Sequence, residues 1–254
     1  MRTSVHKPEN SPNDRRSGSP ETSRNENHVT PCPTVDDAFA RPSNAVTPRL
    51  TLRSITADEV GHSMRLLADA FQARGLQPGC TIAVMNGGLL PARAFQAHFT
   101  RPGPLMKIHL RRKTTGPVKA TLAQLTHRLP LRLSDWIMLQ EMRLRRVAHT
   151  CCGADRTISP HPHAVARLRD QPAVRSAQPD RPVVIVDDAI DTGITAARLH
   201  RSLLEVGVEP ESIRIVCLTH TFPHPAIRAD FFACQGVVLR FPWSARAAGS
   251  IDTP

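Results

Sequence analysis

Three carboxylates lie within five residues at the end of the clearest apolar run of the chain. Pro182–Val186 has the composition of a buried strand and leads directly into Asp187, Asp188 and Asp191. Carboxylates at the end of a buried strand are costly unless a ligand, a cation or hydrogen-bond donors offset their charge. In open α/β folds, ligands bind at the carboxyl ends of the strands. The spacing therefore predicts a polar ligand site at this strand end.

The residues after the acids suit a phosphate group. Asp191–Thr195 is a short polar loop that leads into a predicted helix, whose first turn offers free amide donors and a positive dipole. Thr192 and Thr195 add hydroxyl donors, and Gly193 lets a ligand approach the backbone closely. The two adjacent acids repel phosphate, so we expect them to accept sugar hydroxyls or to hold a divalent cation. Together these requirements describe a 5-phosphorylated ribose.

The run from Val183 to Thr195 closely resembles the phosphoribosyl-pyrophosphate (PRPP) motif of type I phosphoribosyltransferases. The resemblance implies an α/β fold with a twisted, mostly parallel sheet flanked by helices and a smaller hood. It implies transfer of the ribose 5-phosphate of PRPP to a nitrogenous base, with release of pyrophosphate and Mg²⁺ as cofactor. Within the motif it assigns PRPP binding to Asp187, Asp188, Thr192, Gly193, Ile194 and Thr195.

The same resemblance assigns two further roles in the motif. Asp187 and Asp188 would hold the magnesium ion, directly or through water, as well as the ribose hydroxyls. Asp191 would lie near a ring nitrogen of the base and take or give its proton, which makes it the expected catalytic residue.

Two other segments match regions of this family. Asn86, Gly87 and Gly88 stand where the pyrophosphate-binding loop lies, although the family more commonly has Arg or Lys at the position of Asn86. Residues 107–115 match the approach to the family's mobile catalytic loop, which closes over the reaction centre. There we expect positive charge to face the leaving pyrophosphate, from Arg111, Arg112 and Lys113.

The C-terminal part is similar to the hypoxanthine and xanthine-guanine branch, which implies a purine acceptor. By that register Val238 holds the position that stacks on the base, where the branch has an aromatic residue. Leu239 holds the position whose backbone reads the base edge. His220 aligns with a Lys that contacts the exocyclic oxygen of the base.

Hydrophobic periodicity predicts the elements that position these residues. A capping box at Thr56 and Glu59 opens a helix that ends at Gly75 and has Val60, Met64, Leu67 and Phe71 on one face. A second helix follows Gly193, with Ala196, Leu199, Leu203 and Val206 inward. The remaining predictions are strands at 81–85, 105–110, 213–218, 231–232 and 237–241, and helices at 91–98 and 134–147. Alternating strands and helices predict a mostly parallel sheet.

Composition divides the chain into a tail and one domain. Residues 1–49 are polar and Pro-rich, which predicts a disordered tail. Residues 50–254 are expected to form the phosphoribosyltransferase domain, in which 111–175 is a basic, partly helical insertion or mobile loop. The chain carries a net charge of +11, and residues 101–175 alone carry +11. Such a field attracts polyanions, but an Arg-rich solvated face explains it equally well, so nucleic acid is an open partner that we do not favour.

Several classes of protein are disfavoured. We find no membrane span and no signal-peptide pattern, and six Cys without a CxxC pair predict reduced thiols and a cytoplasmic protein. We also expect a homo-oligomer. The His/Cys cluster between 149 and 163 fits no common zinc module. Asp191–Gly193 alone resembles an aspartic protease triplet, but no second triplet exists. A receiver domain would need a phosphorylatable Asp on a later strand, and we cannot place one.

One alternative function stays open on the same fold. The chain could be a regulator that senses PRPP or a nucleotide and binds RNA or a protein through the basic segment. Asn86 and Val238 favour it, because they replace residues that the enzymes use. The intact acids and Thr195 favour the enzyme.

Overall fold

The computed structural model describes residues 50–85, 87–110, 131–151 and 158–243 of the 254-residue chain. Its strands are β1 (Thr51–Ser54), β2 (Cys80–Val84), β3 (Leu105–Ile108), β4 (Val183–Ile190), β5 (Ile213–His220), β6 (Phe231–Gln235) and β7 (Val237–Arg240). Its helices are α1 (Ala57–Ala73), α2 (Leu89–Gln96), α3 (Leu131–Cys151), α4 (Pro162–Arg169), α5 (Pro172–Arg175) and α6 (Ile194–Glu205), and a 3₁₀ turn spans Pro210–Ser212.

Five strands form the main sheet in the order β3-β2-β4-β5-β6, and every neighbouring pair in this order is parallel. The side chains of β4 alternate between the two faces. Val184 and Val186 pack with α1 and α2, whereas Val183 and Ile185 pack with α4 and α6. Helices therefore cover both faces of the sheet, and the predicted α/β class with a mostly parallel sheet is confirmed.

The first helix forms as its sequence signals predict. The Glu59 amide donates to Thr56 Oγ1 over 3.2 Å, and the Thr56 amide donates to Glu59 Oε2 over 2.7 Å, which completes the capping box. The predicted inward face is fully buried. The chain leaves the helix through Gly75, which has a φ of 73° that glycine adopts without strain.

Several element boundaries differ from those predicted. Strand β4 extends to Ile190, because Asp187, Ala189 and Ile190 continue the ladder with β5. Helix α3 is longer than the predicted 134–147. Two short helices were not predicted, and each begins at a proline, Pro162 or Pro172. Proline suits the first helical turn, where its missing amide donor would have no helical partner.

A second, two-stranded sheet pairs β1 with β7 in parallel, and α3 packs against it. It is joined to the end of β5 by two hydrogen bonds. Thr219 Oγ1 donates to the Val237 carbonyl oxygen over 2.6 Å, and the Gly236 amide donates to the His220 carbonyl oxygen over 2.9 Å. This small unit corresponds to the expected hood.

The strand order creates a crevice at one point of the main sheet. From β2 the chain continues outward to β3, whereas from β4 it continues in the opposite direction to β5. The connections that leave β2 and β4 therefore diverge at the carboxyl ends of two neighbouring strands. Such a topological switch point is where open α/β sheets bind their ligands. Among the described residues, none of the helices combines the length and apolar character that a membrane span requires.

Candidate functional site at the switch point

The turn after β2 lies directly against the acids of β4. A methyl group on Gly87 would lie 1.7 Å from Oδ2 of Asp188, so any side chain at this position would have to displace the carboxylate. A methyl group on Gly88 would lie 2.5 Å from the carbonyl oxygen of Val186. The Gly-Gly turn therefore lets the backbone after β2 approach β4 more closely than any side chain would allow.

The two adjacent acids are held in different surroundings. Asp187 is almost fully buried and accepts a hydrogen bond from the Asp188 amide through Oδ1 over 2.9 Å. Asp188 is half-buried, and its Oδ2 faces the indole Nε1 of Trp243 at 3.4 Å. Burial raises the pKa of Asp188, and the nearby Asp191 carboxylate raises it further. The carboxylates at the end of β4 thus concentrate negative charge, and the surrounding protein groups offset this charge only in part.

The thiol of Cys217 lies beside this group on β5, in register with Asp187. Burial raises the pKa of the Cys217 thiol well above its ordinary value, and the carboxylates of Asp187, Asp188 and Asp191 add to the shift. Its Sγ donates to the Thr219 carbonyl oxygen over 3.3 Å. Cys217 is therefore a neutral, buried thiol and no candidate for a nucleophile or a metal ligand.

The donor set at this strand end fits a magnesium ion better than a softer metal. Carboxylate oxygens are the ligands that Mg²⁺ prefers, and Mg²⁺ is usually held by one or two carboxylates together with substrate oxygens. Within the described ranges, no group of three or more His, Cys, Asp or Glu side chains is arranged as a metal cage. Asp187 and Asp188 could thus hold the ion only together with a phosphorylated ligand or water.

The loop after β4 is shaped and braced by a neighbouring segment. Gly193 adopts a φ of 72°, and a methyl group on it would lie 2.9 Å from the amide nitrogen and the carbonyl oxygen of Ile227. The carbonyl oxygen of Thr192 accepts a hydrogen bond from the Ala226 amide over 2.8 Å. Helix α6 begins at the next residue, Ile194, so the amides of its first turn point away from the helix towards the strand end.

His220, one of the residues expected to bind the base, lies next to this loop. His220 pairs in register with Ile190, the residue before Asp191. It is fully buried, and its Nδ1 donates to the Phe222 carbonyl oxygen over 3.1 Å, while Nε2 has no partner among the described residues. Burial lowers the pKa of His220, so in the neutral ring Nε2 is an acceptor. Because Nε2 is itself buried, the role of His220 in base binding stays a prediction.

The two base-binding residues predicted on β7 face different surroundings. Val238 is 7% exposed and packs with Leu50, Met142 and Phe222 beneath α3. Leu239 is half-buried and packs on the other side with the core of the main sheet. Their roles in base binding stay predictions.

The structure brings most of the predicted PRPP-binding residues, together with the expected catalytic Asp191, to one strand edge. They are Gly87, Gly88, Asp187, Asp188, Asp191, Thr192, Gly193, Ile194 and Thr195. The predicted positions Asn86, Arg111, Arg112 and Lys113 lie outside the described residues, as do the predicted tail 1–49 and most of the predicted loop. The division into a tail and a domain from residue 50 stays a prediction.

Trp243 is a site residue that sequence analysis missed. Its ring stacks on Phe241 with centroids 4.9 Å apart, and its indole nitrogen faces Asp188 across 55 residues of chain. Its position near the C-terminal strands marks it only as a core aromatic residue. No spacing rule connects it to the acids, so only the tertiary structure could reveal the contact.

No protein-family model and no curated protein matches the sequence. Among solved structures, the chain is similar to a purine phosphoribosyltransferase from Pyrococcus horikoshii, with 22% identity, a TM-score of 0.45, and 76% of this chain and 93% of that chain covered. It is also similar to the xanthine-guanine-hypoxanthine phosphoribosyltransferase of Helicobacter pylori, with 12% identity, a TM-score of 0.43, and 79% and 97% covered.

A third similar structure is a hypothetical protein from Neisseria gonorrhoeae with bound ppGpp, with 14% identity, a TM-score of 0.42, and 78% of this chain and 92% of that chain covered. Because a fold hosts many functions, the residues of the site have to support a function for this chain.

Proposed function

We propose that this protein is a phosphoribosyltransferase that transfers the ribose 5-phosphate of PRPP to a nitrogenous base, with a purine as the expected acceptor. The observation that carries the proposal is the close packing of Gly87 against Asp188 at the switch point, beside a loop that opens helix α6. This arrangement combines carboxylates for ribose hydroxyls with backbone amides for a phosphate. The motif from Val183 to Thr195, which resembles the PRPP motif, supports the same ligand.

In this proposal the acids and the loop after β4 have different tasks. Asp187 and Asp188 accept hydrogen bonds from the ribose hydroxyls. The amides and hydroxyls of Thr192–Thr195 hold the 5-phosphate at the N-terminus of α6. Bound Mg²⁺ would be held by Asp187 and Asp188 and would neutralise part of the pyrophosphate charge.

The chemical step is a substitution at C1 of the ribose. The bond from C1 to the pyrophosphate oxygen breaks with its electron pair, and a bond from C1 to a ring nitrogen of the base forms. The carboxylate of Asp191 takes the proton that the base loses as the new bond forms. The protein contributes mainly by holding the two reactants and stabilising charge, which needs no covalent intermediate on the chain.

Pyrophosphate release tests the reaction directly. The full chain is incubated with Mg²⁺, PRPP and one base at a time from a panel of hypoxanthine, guanine, xanthine, adenine, uracil and orotate. We expect release above the rate of PRPP hydrolysis with at least one purine. If no base increases release, the chain is not a phosphoribosyltransferase for these acceptors and the proposal fails.

The role of Asp191 is tested in the same assay. We expect Asp191→Asn to lower kcat by about 100-fold or more, because a positioned acid or base typically contributes at least that much. PRPP binding should change little, since the amides that hold the phosphate remain. Asp180→Asn removes an exposed carboxylate from a distant loop and serves as the matched control. An unchanged kcat in Asp191→Asn would remove this residue from the mechanism.

A second candidate is the PRPP- or nucleotide-sensing regulator. The covered position of Val238 beneath α3 favours it, because a stacking surface for a base is not exposed there. A regulator that binds RNA through the basic segment should show RNA affinity that falls steeply with salt. An enzyme has no need of such binding, so salt-dependent RNA retention without pyrophosphate release would favour the regulator.

A further inference from the structure

Helix α3 has an apolar face that the protein covers. Met138, Leu139 and Met142 pack in the cluster that contains Val238 and Phe222. Two polar contacts hold the helix in this place at its two ends. Asp135 forms an ion pair with Arg240, and His149 Nε2 donates to the His224 carbonyl oxygen over 2.9 Å. The inner side of α3 is therefore fixed against the hood.

The opposite face of α3 is also apolar, and it is open to solvent. Leu133, Trp136, Leu144 and Val147 are 44%, 59%, 70% and 59% exposed, and they are four of the five large exposed hydrophobic side chains in the described part of the chain. Together with Gln140 they follow a spacing of 3, 4, 4 and 3 residues, which places them on one stripe of the helix. We call these five residues the α3 stripe. It is about 21 Å long at 1.5 Å per residue.

A solvated helix normally has a polar outer face, so an apolar stripe of this length marks a contact surface. The arrangement of the α3 stripe indicates which partner it fits. Leu133 and Val147 each lie seven residues from Gln140, and Trp136 and Leu144 each lie four residues from it. The stripe is therefore symmetric about its centre, a property that an interface between two identical copies requires.

We propose that the α3 stripe joins two copies of this chain in an antiparallel helix pair, with the two-fold axis at Gln140. In such a pair, residues at equal distances from Gln140 lie at the same level. Leu133 then faces Val147 of the second copy, and Trp136 faces Leu144 of the second copy. This inference concerns assembly and does not depend on the reaction proposed above.

The charges beside the stripe agree with this register. Arg143 lies level with Ile137 of the second copy and Glu141 with Leu139, whereas Arg145 lies level with Asp135, which Arg240 holds on the hood side of its own helix. No two like charges of the described helix therefore share a level, although the segment is strongly basic. An unspecific pairing of two such helices would bring arginines together and be disfavoured.

Gln140 supplies the polar centre of the stripe. With its amide oriented to satisfy its neighbours, its oxygen accepts from Trp136 Nε1 over 3.3 Å and from Arg143 Nη1 over 3.2 Å. On the proposed two-fold axis, the Gln140 amide of one copy would face the Gln140 amide of the second copy. A polar residue at one position of an apolar helix seam is a known device for fixing register. One helix pair is smaller than a typical stable interface, so we expect a dimer that dissociates on dilution.

Sedimentation velocity of the full chain over a concentration series tests the dimer. We expect the 27.9 kDa monomer at low concentration and twice that mass at high concentration. Leu144→Glu should weaken the dimer at least about 10-fold, because each dimer loses two buried leucines and gains two buried charges. Leu90→Glu on α2, which is 46% exposed outside the α3 stripe, is the matched control and should leave the dimer unchanged. A monomer at all concentrations, or an unchanged Leu144→Glu dimer, overturns the proposal.

Cross-linking tests the orientation without destabilising the helix. With a short thiol-specific linker, Gln140→Cys should form more cross-linked dimer than the unmodified chain. Val147→Cys should not, because the two positions would lie about 21 Å apart along an antiparallel pair. Linking at 147 but not at 140 overturns the proposed register. Circular dichroism of each variant verifies that α3 is still folded.

Discussion

At the residue scale, the site depends on the contact between Gly87, which has no side chain, and the carboxylate of Asp188. Gly87 has no catalytic group, yet it decides how near the turn after β2 can come to Asp188. Asp188 is in turn held between this turn and the indole of Trp243. The carboxylate is thus fixed from two sides before any ligand binds, which lowers the ordering cost of binding a sugar.

We predict that Gly87→Ala weakens PRPP binding at least about 10-fold, because its methyl group would displace the carboxylate of Asp188 from the ribose hydroxyls. Titration calorimetry with PRPP and Mg²⁺ measures the change. Gly61→Ala on α1 is the control, since nothing lies within 4 Å of the methyl group it adds. That control should bind PRPP normally and unfold at a slightly higher temperature, as alanine favours a helix interior. Equal PRPP affinity in both variants would show that Asp188 does not contact the ligand.

A second residue-scale prediction concerns pH. Burial and the nearby Asp191 carboxylate raise the pKa of Asp188 above its ordinary value of 3.8. The folded state therefore binds this proton more tightly than the unfolded chain. The stabilisation is complete below the ordinary pKa and is lost as the pH rises through the raised one. We expect Asp188→Asn, which cannot ionise, to be more stable than the wild type near neutral pH, with a difference that narrows as the pH falls.

Thermal unfolding of both proteins over a pH series, with a chelator present, measures this difference. Asp180→Asn is the control, because it shows how the unfolding temperature changes when an exposed carboxylate is removed. A variant Asp188→Asn that is less stable than wild type at neutral pH would mean that the ionised carboxylate is stabilised by its surroundings, against the prediction. The same variant should bind PRPP poorly, as expected where a site trades stability for function.

At the element scale, sequence analysis predicted the elements that carry the proposed site, because local patterns determine these elements. Each of these elements is determined by a signal only a few residues long. The signals are the capping box of α1, the apolar run of β4 and the glycine before α6. The extension of β4 through its acids could not be predicted, since it depends on hydrogen bonds with β5. The contacts of Asp188 with Gly87 and Trp243 are also tertiary, and neither follows from spacing along the chain.

Gly193 offers an element-scale prediction, because it shares its backbone conformation with a glycine elsewhere. Gly193 and Gly75 have φ values of 72° and 73°, but only Gly193 is crowded, by the backbone of Ile227. Alanine in this conformation costs about 1–2 kcal/mol at either position. We expect Gly193→Ala to lose more stability than Gly75→Ala and to weaken PRPP binding at least about 10-fold, because the loop before α6 must shift.

Thermal unfolding and PRPP titration of both variants separate the two effects. Gly75→Ala should lose stability through backbone strain alone and keep its affinity for PRPP. If the two variants lose the same stability and both keep full affinity, the loop after β4 does not hold the phosphate in the way that we propose.

At the scale of the whole molecule, strand order concentrates the polar chemistry at one crevice. Parallel strands on both sides of β4 bring the ends of β2, β4 and β5 to the same edge, where the acids, the Gly-Gly turn and His220 lie. The excess positive charge belongs to a different part of the chain, residues 101–175. Its described helix α3 covers Val238 with one face and exposes the α3 stripe with the other. Sequence analysis predicted this helix but could not tell which of its apolar faces would be covered.

The most direct measurement is a crystal structure of the protein with PRPP and Mg²⁺. We predict that the 5-phosphate lies against the amides of Thr192–Thr195 and that the ribose hydroxyls contact the carboxylates of Asp187 and Asp188. PRPP bound elsewhere, or a crevice between β2 and β4 that stays empty at saturating PRPP, would contradict the proposed function.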